Sequence, residues 1–446
     1  MNENVNVNVN VNKKLLLKNC KLVLENRVIQ SDILIENGRI KKISNKIKET
    51  GIGGVIDVEN KLVFPGAIDP HIHLELNLGN GRVSSDTFET GTAAALNGGV
   101  TTVFDFAHQE LQGETLLQAY NRSRKQSVSA KNRLFFHSGI MNLTSDIEKQ
   151  IEDVFKAGVK SFKIYLNSIK TNSEFLYRAI KKIGELNGKV LLHCEDAVII
   201  EYLKKKLHND NKRGPENIPE SRPDYLELYS IMNAAVLAEN LDAEIYVVHL
   251  STAAGAEFIK KAQKKGIKIN AETCAQYLLL TDAVYKKKDG YLFTCAPPFR
   301  KKKDNEALWN SLKSETVKFI STDHCPFLKD QKKKFGDSFI NYVYGLPGVE
   351  YSPVLMISEM EKRKFDYPKI GRLISTNAAK YFGLYPETGA IKEGSKADLF
   401  VYNPNKPQKL SCKKWKSNCD FYQFENRIVN GTIEIVIFDG NLIKKD

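Results

Sequence analysis

The chain has 446 residues and is therefore longer than a single domain of ordinary size. An α/β barrel alone can take about 250 residues or more. Hydrophobic residues make up 42% of the chain, and it has no run of about 18 apolar residues that could span a membrane. The net charge of +13 comes from short, scattered lysine clusters without a nucleic-acid-binding motif, so neither a membrane nor a nucleic acid is expected as a partner.

The chain starts with MNENVNVNVNVNKK, which alternates asparagine and valine and lacks the apolar segment of a signal peptide. We expect residues 1–13 to form a disordered tail. The seven cysteines are odd in number and none are spaced as Cys-x-x-Cys, which favours free thiols in a reducing compartment. The expected location is therefore the cytoplasm.

Short strand-like runs occur at both ends of the chain, with the turn dipeptides Asn37-Gly38 and Asp439-Gly440 between them. Neither end is long enough to build a core alone. We therefore expect residues 14–65 and 388–446 to combine into one small β-sandwich domain. Residues 66–387 would form a separate catalytic domain inserted between them.

Eight short apolar runs in this middle part alternate with stretches of helical spacing. The apolar runs are residues 67–73, 101–106, 134–137, 161–166, 189–193, 244–249, 267–271 and 317–320. The helical stretches are residues 87–96, 110–128, 146–156, 173–186, 224–239, 252–264 and 305–314. Strands that alternate with helices pair in parallel, and eight such units close into a barrel. The predicted fold class is α/β, a (β/α)8 barrel with a small β-sandwich domain.

Residues that can bind a metal ion stand at or just after the ends of four of these runs. His71 and His73 alternate along one strand, so their side chains point the same way, and two neutral imidazoles suit zinc. His193, His249 and Asp323 follow three later runs. A single histidine or aspartate at such a position is more often a core residue or a helix cap than a metal ligand. Four strands that end in this way favour one shared metal site. Active sites of such barrels lie at the C-terminal ends of the strands.

Lys163 lies inside the apolar run at residues 161–166. A lysine there is costly to bury unless its charge is removed or paired. In a chain so rich in lysine, an exposed strand face is the simpler interpretation. A buried, neutral amine could instead react with CO2 to form a carbamate, whose two oxygens can bridge two cations.

The ordered set of these six residues resembles that of the amidohydrolase superfamily. Five segments resemble its dihydropyrimidinase and hydantoinase family: DPHIHLE at 69–75, SSDTFETGT at 84–92, ETCAQY at 272–277, CAPPFR at 295–300 and STDHCPF at 321–327. The resemblance extends from about Leu15 to the C-terminus. It implies a hydrolase of pyrimidine catabolism that opens dihydropyrimidines such as 5,6-dihydrouracil, or hydantoins, to an N-carbamoyl amino acid.

The resemblance also implies two Zn2+ ions per chain. His71, His73 and Asp323 would hold one ion, and His193 and His249 the other. Lys163, as N6-carboxylysine, and a hydroxide would bridge the two ions. Asp323 would take the proton of the attacking hydroxide and pass it to the leaving nitrogen. A homo-oligomer, a tetramer in the family, is implied as well.

Three positions depart from the family pattern. Family members place a tyrosine that hydrogen-bonds the oxyanion five residues after the carboxylated lysine, where this chain has Ser168. Tyr165, on the same strand face as Lys163, could take its place. The serine of the Cys-Ser-Pro-Pro pattern is Ala296, and the asparagine before Gly-Leu-Pro-Gly is Tyr344. These two substrate-binding positions often act through backbone groups. The departures therefore leave the predicted reaction class unchanged, but they do not identify the substrate ring.

Two alternatives remain at this point. An allantoinase or dihydroorotase shares the metal ligands, but a dihydroorotase typically has an arginine after His-x-His, where this chain has Leu74 and Glu75. A non-enzymatic dihydropyrimidinase-related interaction protein would have lost metal ligands, whereas all six are present here. Neither the natural ring nor its stereochemistry follows from the sequence.

Overall fold

The computed structural model describes residues 14–142, 144–167, 172–334 and 338–445. The expected tail at residues 1–13 lies outside the described residues, and so does Ser168. No helix in the described part of the chain is both long enough and apolar enough to cross a membrane. All seven cysteines are described and none of them forms a disulfide, as predicted.

The N-terminal part of the chain forms five strands. They are β1 (Leu15–Val23), β2 (Val28–Glu36), β3 (Arg39–Ser44), β4 (Gly54–Asp57) and β5 (Leu62–Pro65). The turn between β2 and β3 has positive φ at both central residues, Asn37 (52°) and Gly38 (74°). This backbone is the tight hairpin turn that the Asn-Gly dipeptide predicts, because both residues tolerate the left-handed region.

Eight parallel strands then form the predicted barrel sheet, and each of them pairs with its neighbours in chain order. They are β6 (Ala67–Asp69), β7 (Val100–His108), β8 (Arg133–Ile140), β9 (Ser161–Tyr165), β10 (Lys189–His193), β11 (Glu244–Val247), β12 (Ile269–Cys274) and β13 (Phe319–Ser321). All nine residues of β7 are buried, as expected for a parallel strand covered on both faces.

Side-chain and backbone hydrogen bonds join the first and last strands of the barrel. Asp69, at the end of β6, accepts hydrogen bonds from the backbone N–H of Thr322 (3.2 Å) and from the Thr322 hydroxyl (2.5 Å). Beyond it, the backbone N–H of His73 donates to the carbonyl of His324 at 2.7 Å. These bonds fix the position of the loop that carries His71 and His73 relative to the loop that carries Asp323.

The C-terminal part adds five strands, β14 (Leu399–Asn403), β15 (Gln408–Lys409), β16 (Ile428–Val429), β17 (Thr432–Phe438) and β18 (Asn441–Lys445). Strand β14 pairs with β5, so both chain ends share one sheet in the order β18-β17-β14-β5-β1-β2-β3, with β4 also on β1. One hydrophobic cluster takes side chains from both halves of this sheet, among them Leu17, Ile33, Val401 and Ile435. Both chain ends therefore contribute to one mostly β domain with a shared core, as predicted. The exact domain boundaries remain a prediction.

The helices that the structure describes are α1 (Phe88–Asn97), α2 (Leu116–Gln126), α3 (Ile147–Lys156), α4 (Ser173–Glu185), α5 (Ala197–Asn209), α6 (Ile218–Ser221), α7 (Asp224–Leu241), α8 (Ala253–Lys264), α9 (Ala275–Leu279), α10 (Lys302–Lys313), α11 (Lys329–Lys334), α12 (Ser352–Lys362), α13 (Tyr367–Gly371) and α14 (Asn377–Tyr381). Of these helices, α1 to α10 lie between successive barrel strands, and α11 to α14 follow the last one.

One predicted helix begins later than expected. The sequence predicts a helix from Glu110, but α2 begins after Thr115, whose hydroxyl accepts a hydrogen bond from the backbone N–H of Gln118. Before it, the carboxylate of Glu114 accepts the backbone N–H groups of Glu110 and Leu111. These side-chain bonds hold residues 110–114 in a loop, and the threonine cap then starts the helix.

Candidate metal centre

The barrel brings the six predicted ligands to its C-terminal end. His71 and His73 lie in the loop that follows β6. His249 is the second residue after β11, and Asp323 is the second residue after β13. His193 is the last residue of β10, and Lys163 lies in β9, directly opposite Leu191 of β10. Every barrel strand points the same way, so side chains at these ends face one common space.

Three donor atoms form a triangle of equal sides. His71 Nε2, His73 Nε2 and Asp323 Oδ1 lie 3.2 Å from one another. Ligand atoms around a four-coordinate zinc, at bond lengths of about 2.0 to 2.1 Å, are about 3.3 Å apart. The two imidazoles and the carboxylate therefore have both the chemistry and the spacing that a zinc ion requires.

Glu272, on β12, holds the first of these ligands in place. Its Oε1 accepts a hydrogen bond from His71 Nδ1 (2.5 Å) and another from the backbone N–H of His249 (3.1 Å). Its Oε2 accepts the hydroxyl of Tyr246 at 2.5 Å. With its Nδ1 proton donated to Glu272, His71 presents an unprotonated Nε2 towards the triangle, as a metal ligand must.

His193 and His249 form a second pair beside the triangle. Their ring centroids are 4.5 Å apart, and the ring of His249 is 5.4 Å from that of His71. His193 Nε2 donates to Glu195 at 2.7 Å, and Glu195 also accepts a hydrogen bond from Arg222 at 2.6 Å. This arrangement leaves Nδ1 of His193 as the nitrogen that can bind a second ion.

Lys163 is completely buried, with an exposed fraction of 0%. This burial excludes the interpretation as a lysine on an exposed strand face. Its Nζ has no hydrogen-bond partner among the residues that the structure describes, and it lies 5.4 Å and 5.0 Å from the ring centroids of Phe106 and Tyr165. Burial lowers the pKa of the Lys163 ammonium to about 8, although Glu272 and Asp323 act to raise it. A neutral amine, the form that reacts with CO2, is therefore accessible at mildly alkaline pH.

The candidate ligands have shifted pKa values, and two of them have an unusual backbone conformation. Burial lowers the pKa of both His71 and His249 well below the ordinary value, which keeps these imidazoles neutral. Burial alone would raise the pKa of Asp323, but His71, His73 and Lys163 lower it below its usual value. His249 (φ 40°) and Asp323 (φ 52°) adopt left-handed backbone conformations. Such residues cost about 1 to 3 kcal/mol each and concentrate at functional sites.

The other predicted site residues lie at different distances from this centre. Tyr165 ends β9, and its hydroxyl is 2.6 Å from His108 Nε2. Tyr344 donates its hydroxyl to the carbonyl of Phe339 at 2.8 Å, and its ring centroid is 5.7 Å from the guanidinium of Arg222. Ala296 is half-buried. Ser168 lies outside the described residues.

Sequence reasoning missed Glu272, Glu195 and His108 as parts of this site. Glu272 and Glu195 are completely buried carboxylates. Both lie in or next to apolar strand runs, which is the signal that could have found them, since a buried charge needs a partner. His108 stands two residues after the apolar run 101–106, as His71 stands two residues after β6.

Known proteins resemble this chain over nearly its whole length. Residues 62–443 match the model of the amidohydrolase family. The D-hydantoinase of Geobacillus stearothermophilus is 33% identical over 440 residues, which is 97% of this chain and 93% of that protein. A dihydropyrimidinase of Dictyostelium discoideum is 30% identical over 97% of this chain and 88% of its own length.

The fold has solved counterparts as well. The crystal structure of a dihydropyrimidinase from Brevibacillus agri matches it with a TM-score of 0.93 at 30% identity, over 97% of this chain and 95% of that one. A D-hydantoinase from a Thermus species matches with the same TM-score, identity and coverage.

Proposed function

Because this chain belongs to the amidohydrolase family, we propose that it is a metal-dependent hydrolase that opens cyclic amides, with dihydropyrimidines or hydantoins as the rings. The observation that carries the proposal is the zinc-sized triangle of His71, His73 and Asp323 beside the buried Lys163. All six candidate ligands are present in the sequence, and nothing favours the non-enzymatic interaction protein.

The donor set fits two zinc ions. His71, His73 and Asp323 would hold one, and His193 and His249 the other, with Lys163 as N6-carboxylysine shared between them. When bound, the ions would supply Lewis acidity, which polarises the amide carbonyl and makes water a stronger acid.

Asp323 would move the proton that ring opening requires. Water adds its oxygen to the carbonyl carbon, and the Asp323 carboxylate accepts the proton that water loses. The carbon–nitrogen bond then breaks, and Asp323 returns the proton to the departing nitrogen. The product is an open chain with a carboxylate at one end and a carbamoyl nitrogen at the other. Tyr165 would donate a hydrogen bond to the carbonyl oxygen as negative charge develops on it.

The residues after His73 support a neutral ring. Leu74 is buried, and its backbone N–H donates to Asp105 at 2.9 Å. The Glu75 carboxylate accepts the backbone N–H of Phe88 at the start of α1 (3.0 Å). No cation stands at this position to pair with a substrate carboxylate, which argues against dihydroorotate.

Three further residues, Ala296, Tyr344 and Ser168, are proposed to contact the substrate. A dihydropyrimidine substrate would place the enzyme in pyrimidine catabolism, and its free thiols suit the cytoplasm.

We expect the purified protein to bind about two zinc ions per chain and to open dihydrouracil or a hydantoin faster than allantoin or dihydroorotate. Removal of the metal by a chelator should lower turnover by at least about 100-fold, because neither water nor an unstrained amide reacts readily alone. Elemental analysis and a turnover screen of the four rings check both expectations. A protein that holds no divalent metal after refolding with zinc and bicarbonate, or that opens none of the rings, would contradict the proposal.

An exposed apolar face supports the proposed homo-oligomer. Along α7, Tyr225, Tyr229, Met232 and Val236 recur every three or four residues and are 56%, 48%, 45% and 58% exposed. Val198 of α5, which is 61% exposed, lines one cavity together with Tyr229 and Val236. Large exposed apolar patches mark protein–protein contacts, and a second copy of this chain is the partner that the family resemblance implies.

Charge placed on this face should break the assembly. We expect the double substitution Tyr229→Glu and Met232→Glu to lower the molar mass in sedimentation or light scattering to that of one or two chains. The same change at Val128, which is 85% exposed but lies outside the face, is the matched control and should leave the mass unchanged. A wild-type protein that sediments as a monomer would contradict the proposed oligomer.

A further inference from the structure

A hydrogen bond joins His108 and Tyr165 at the edge of the metal centre. His108 Nε2 and Tyr165 Oη are 2.6 Å apart. His108 is the last residue of β7 and Tyr165 is the last residue of β9, so both lie at the end of the barrel that carries the metal ligands. His108 is only 7% exposed. Tyr165 is half-buried, so the bond is partly shielded from bulk water, and a hydrogen bond is stronger in such surroundings than on the surface.

Strand β8 separates these two strands, and Gly139 makes the contact across it possible. In the sheet register Gly139 lies opposite His108 on one side and opposite Lys163 on the other. A Cβ atom at position 139 would be 2.7 Å from Cδ2 of His108, closer than such atoms pack. The imidazole therefore occupies space that a side chain at position 139 would fill, and from there it reaches Tyr165.

Packing fixes the tyrosine ring between groups proposed to bind the metal ions. The Tyr165 ring centroid lies 5.0 Å from Nζ of Lys163, and the His108 ring stacks on His73 with centroids 5.9 Å apart. Phe106 contacts both sides, with its centroid 4.8 Å from that of His73 and 6.5 Å from that of Tyr165. The phenol has little freedom to move away from the reacting centre.

The chemistry of the pair allows one useful arrangement. A tyrosine hydroxyl can accept one hydrogen bond and donate another, and a neutral imidazole carries one N–H. If Nε2–H of His108 donates to Tyr165 Oη, the phenolic hydrogen is free for another acceptor, and the bond it has accepted makes it a stronger donor. A donor aimed at the carbonyl oxygen is what ring opening requires when that oxygen becomes negative.

We propose that His108 is a positioning residue, which donates to Tyr165 and so directs the Tyr165 hydroxyl at the carbonyl oxygen of the cyclic amide. This inference rests on the proposed function. It explains how the chain stabilises the oxyanion although the tyrosine expected at position 168 is a serine, since a second residue fixes a tyrosine that lies three positions earlier on the strand.

A double-mutant cycle on the zinc-loaded enzyme tests the pair. We expect Tyr165→Phe to lower kcat about 100-fold with KM within about threefold, the loss seen when one oxyanion donor is removed. His108→Leu should lower kcat by about 10-fold or more, and the double variant should be no slower than Tyr165→Phe alone. His108→Gln, which keeps an N–H donor, should recover most of the loss. Tyr202→Phe and His208→Leu, exposed on α5, are matched controls and should behave as the wild type.

Metal content, measured for every variant, separates a lost donor from a lost ion. A zinc-loaded Tyr165→Phe enzyme within threefold of the wild type would overturn the inference while leaving the proposed function intact. The inference would also be overturned if the two losses multiplied in the double variant, since His108 would then act independently of Tyr165. A His108→Gln enzyme as slow as His108→Leu would overturn it as well. A wild-type enzyme that opens no cyclic amide would overturn the proposed function and this inference together.

Discussion

Replacing Asp323 by asparagine is expected to lower kcat by about 100- to 10,000-fold, the range that proton transfer by a positioned side chain contributes. An amide cannot accept the proton that water loses on attack, nor return it to the departing nitrogen. Asparagine keeps the shape of the side chain and one coordinating oxygen. It also tolerates the left-handed backbone at this position, where φ is 52°, so the fold should not change.

A purely structural role for Asp323 predicts a different result. If this residue only ended a strand or capped a turn, asparagine would serve about as well, and activity would hardly change. The contacts of the carboxylate favour the chemical role, because its Oδ1 lies 3.2 Å from Nε2 of both His71 and His73. Kcat on dihydrouracil or a hydantoin, measured together with metal content, decides between the two roles. The exposed Asp330→Asn is the matched control, and a metal-loaded Asp323→Asn enzyme within about threefold of the wild type would end the proposed role.

The barrel strands could be predicted from the sequence because parallel strands buried on both faces form continuous apolar runs. The run 189–193 is identical to β10, and the run 161–166 differs from β9 by one residue. The same logic placed the candidate ligands, since a residue after a parallel strand must lie at the C-terminal end of the barrel. The strands and the positions of the candidate ligands therefore follow from local patterns in the sequence.

Helix α5 shows why some elements could not be predicted. Of its 13 residues only Ile200 and Leu207 are buried, so the apolar repeat that indicates a helix is too weak to detect. Its start is set instead by Asp196, whose side chain accepts the backbone N–H of Ile199. Other apolar residues of the helix, such as Val198 and Tyr202, are exposed, so its apolar positions do not mark one buried face.

The partners of the ligands could not be predicted, because they come from distant parts of the chain. Glu272 lies 201 residues after His71, and the bond between His108 and Tyr165 spans 57 residues. Only the closed barrel brings such residues within hydrogen-bond distance. Identity and spacing along the chain therefore predict which residues can bind a metal, whereas the groups that orient them follow from the fold.

Two buried lysines with opposite surroundings give the strongest test of the bridging ligand. Lys163 and Lys332 both have an exposed fraction of 0%, and burial lowers the pKa of each to about 8. Lys332 Nζ donates to the hydroxyl of Thr294 at 3.0 Å and to its carbonyl at 3.2 Å. Nζ of Lys163 has no such acceptor among the described residues. A buried amine without acceptors is stabilised if it becomes a carbamate whose oxygens bind cations.

Lys163→Ala is therefore expected to abolish turnover, and acetate or propionate added with zinc should restore part of it. In the proposed site this residue would supply a pair of carboxylate oxygens, which a short carboxylic acid could replace in the space that the lost side chain leaves. Lys332→Ala is the matched control, because it removes an equally buried lysine that binds backbone oxygen, so carboxylic acids should restore nothing there. Activity with and without added acid, read against zinc content, measures the difference. A Lys163→Ala enzyme that turns over without any acid would show that this lysine is only structural, since no bridge would then be needed.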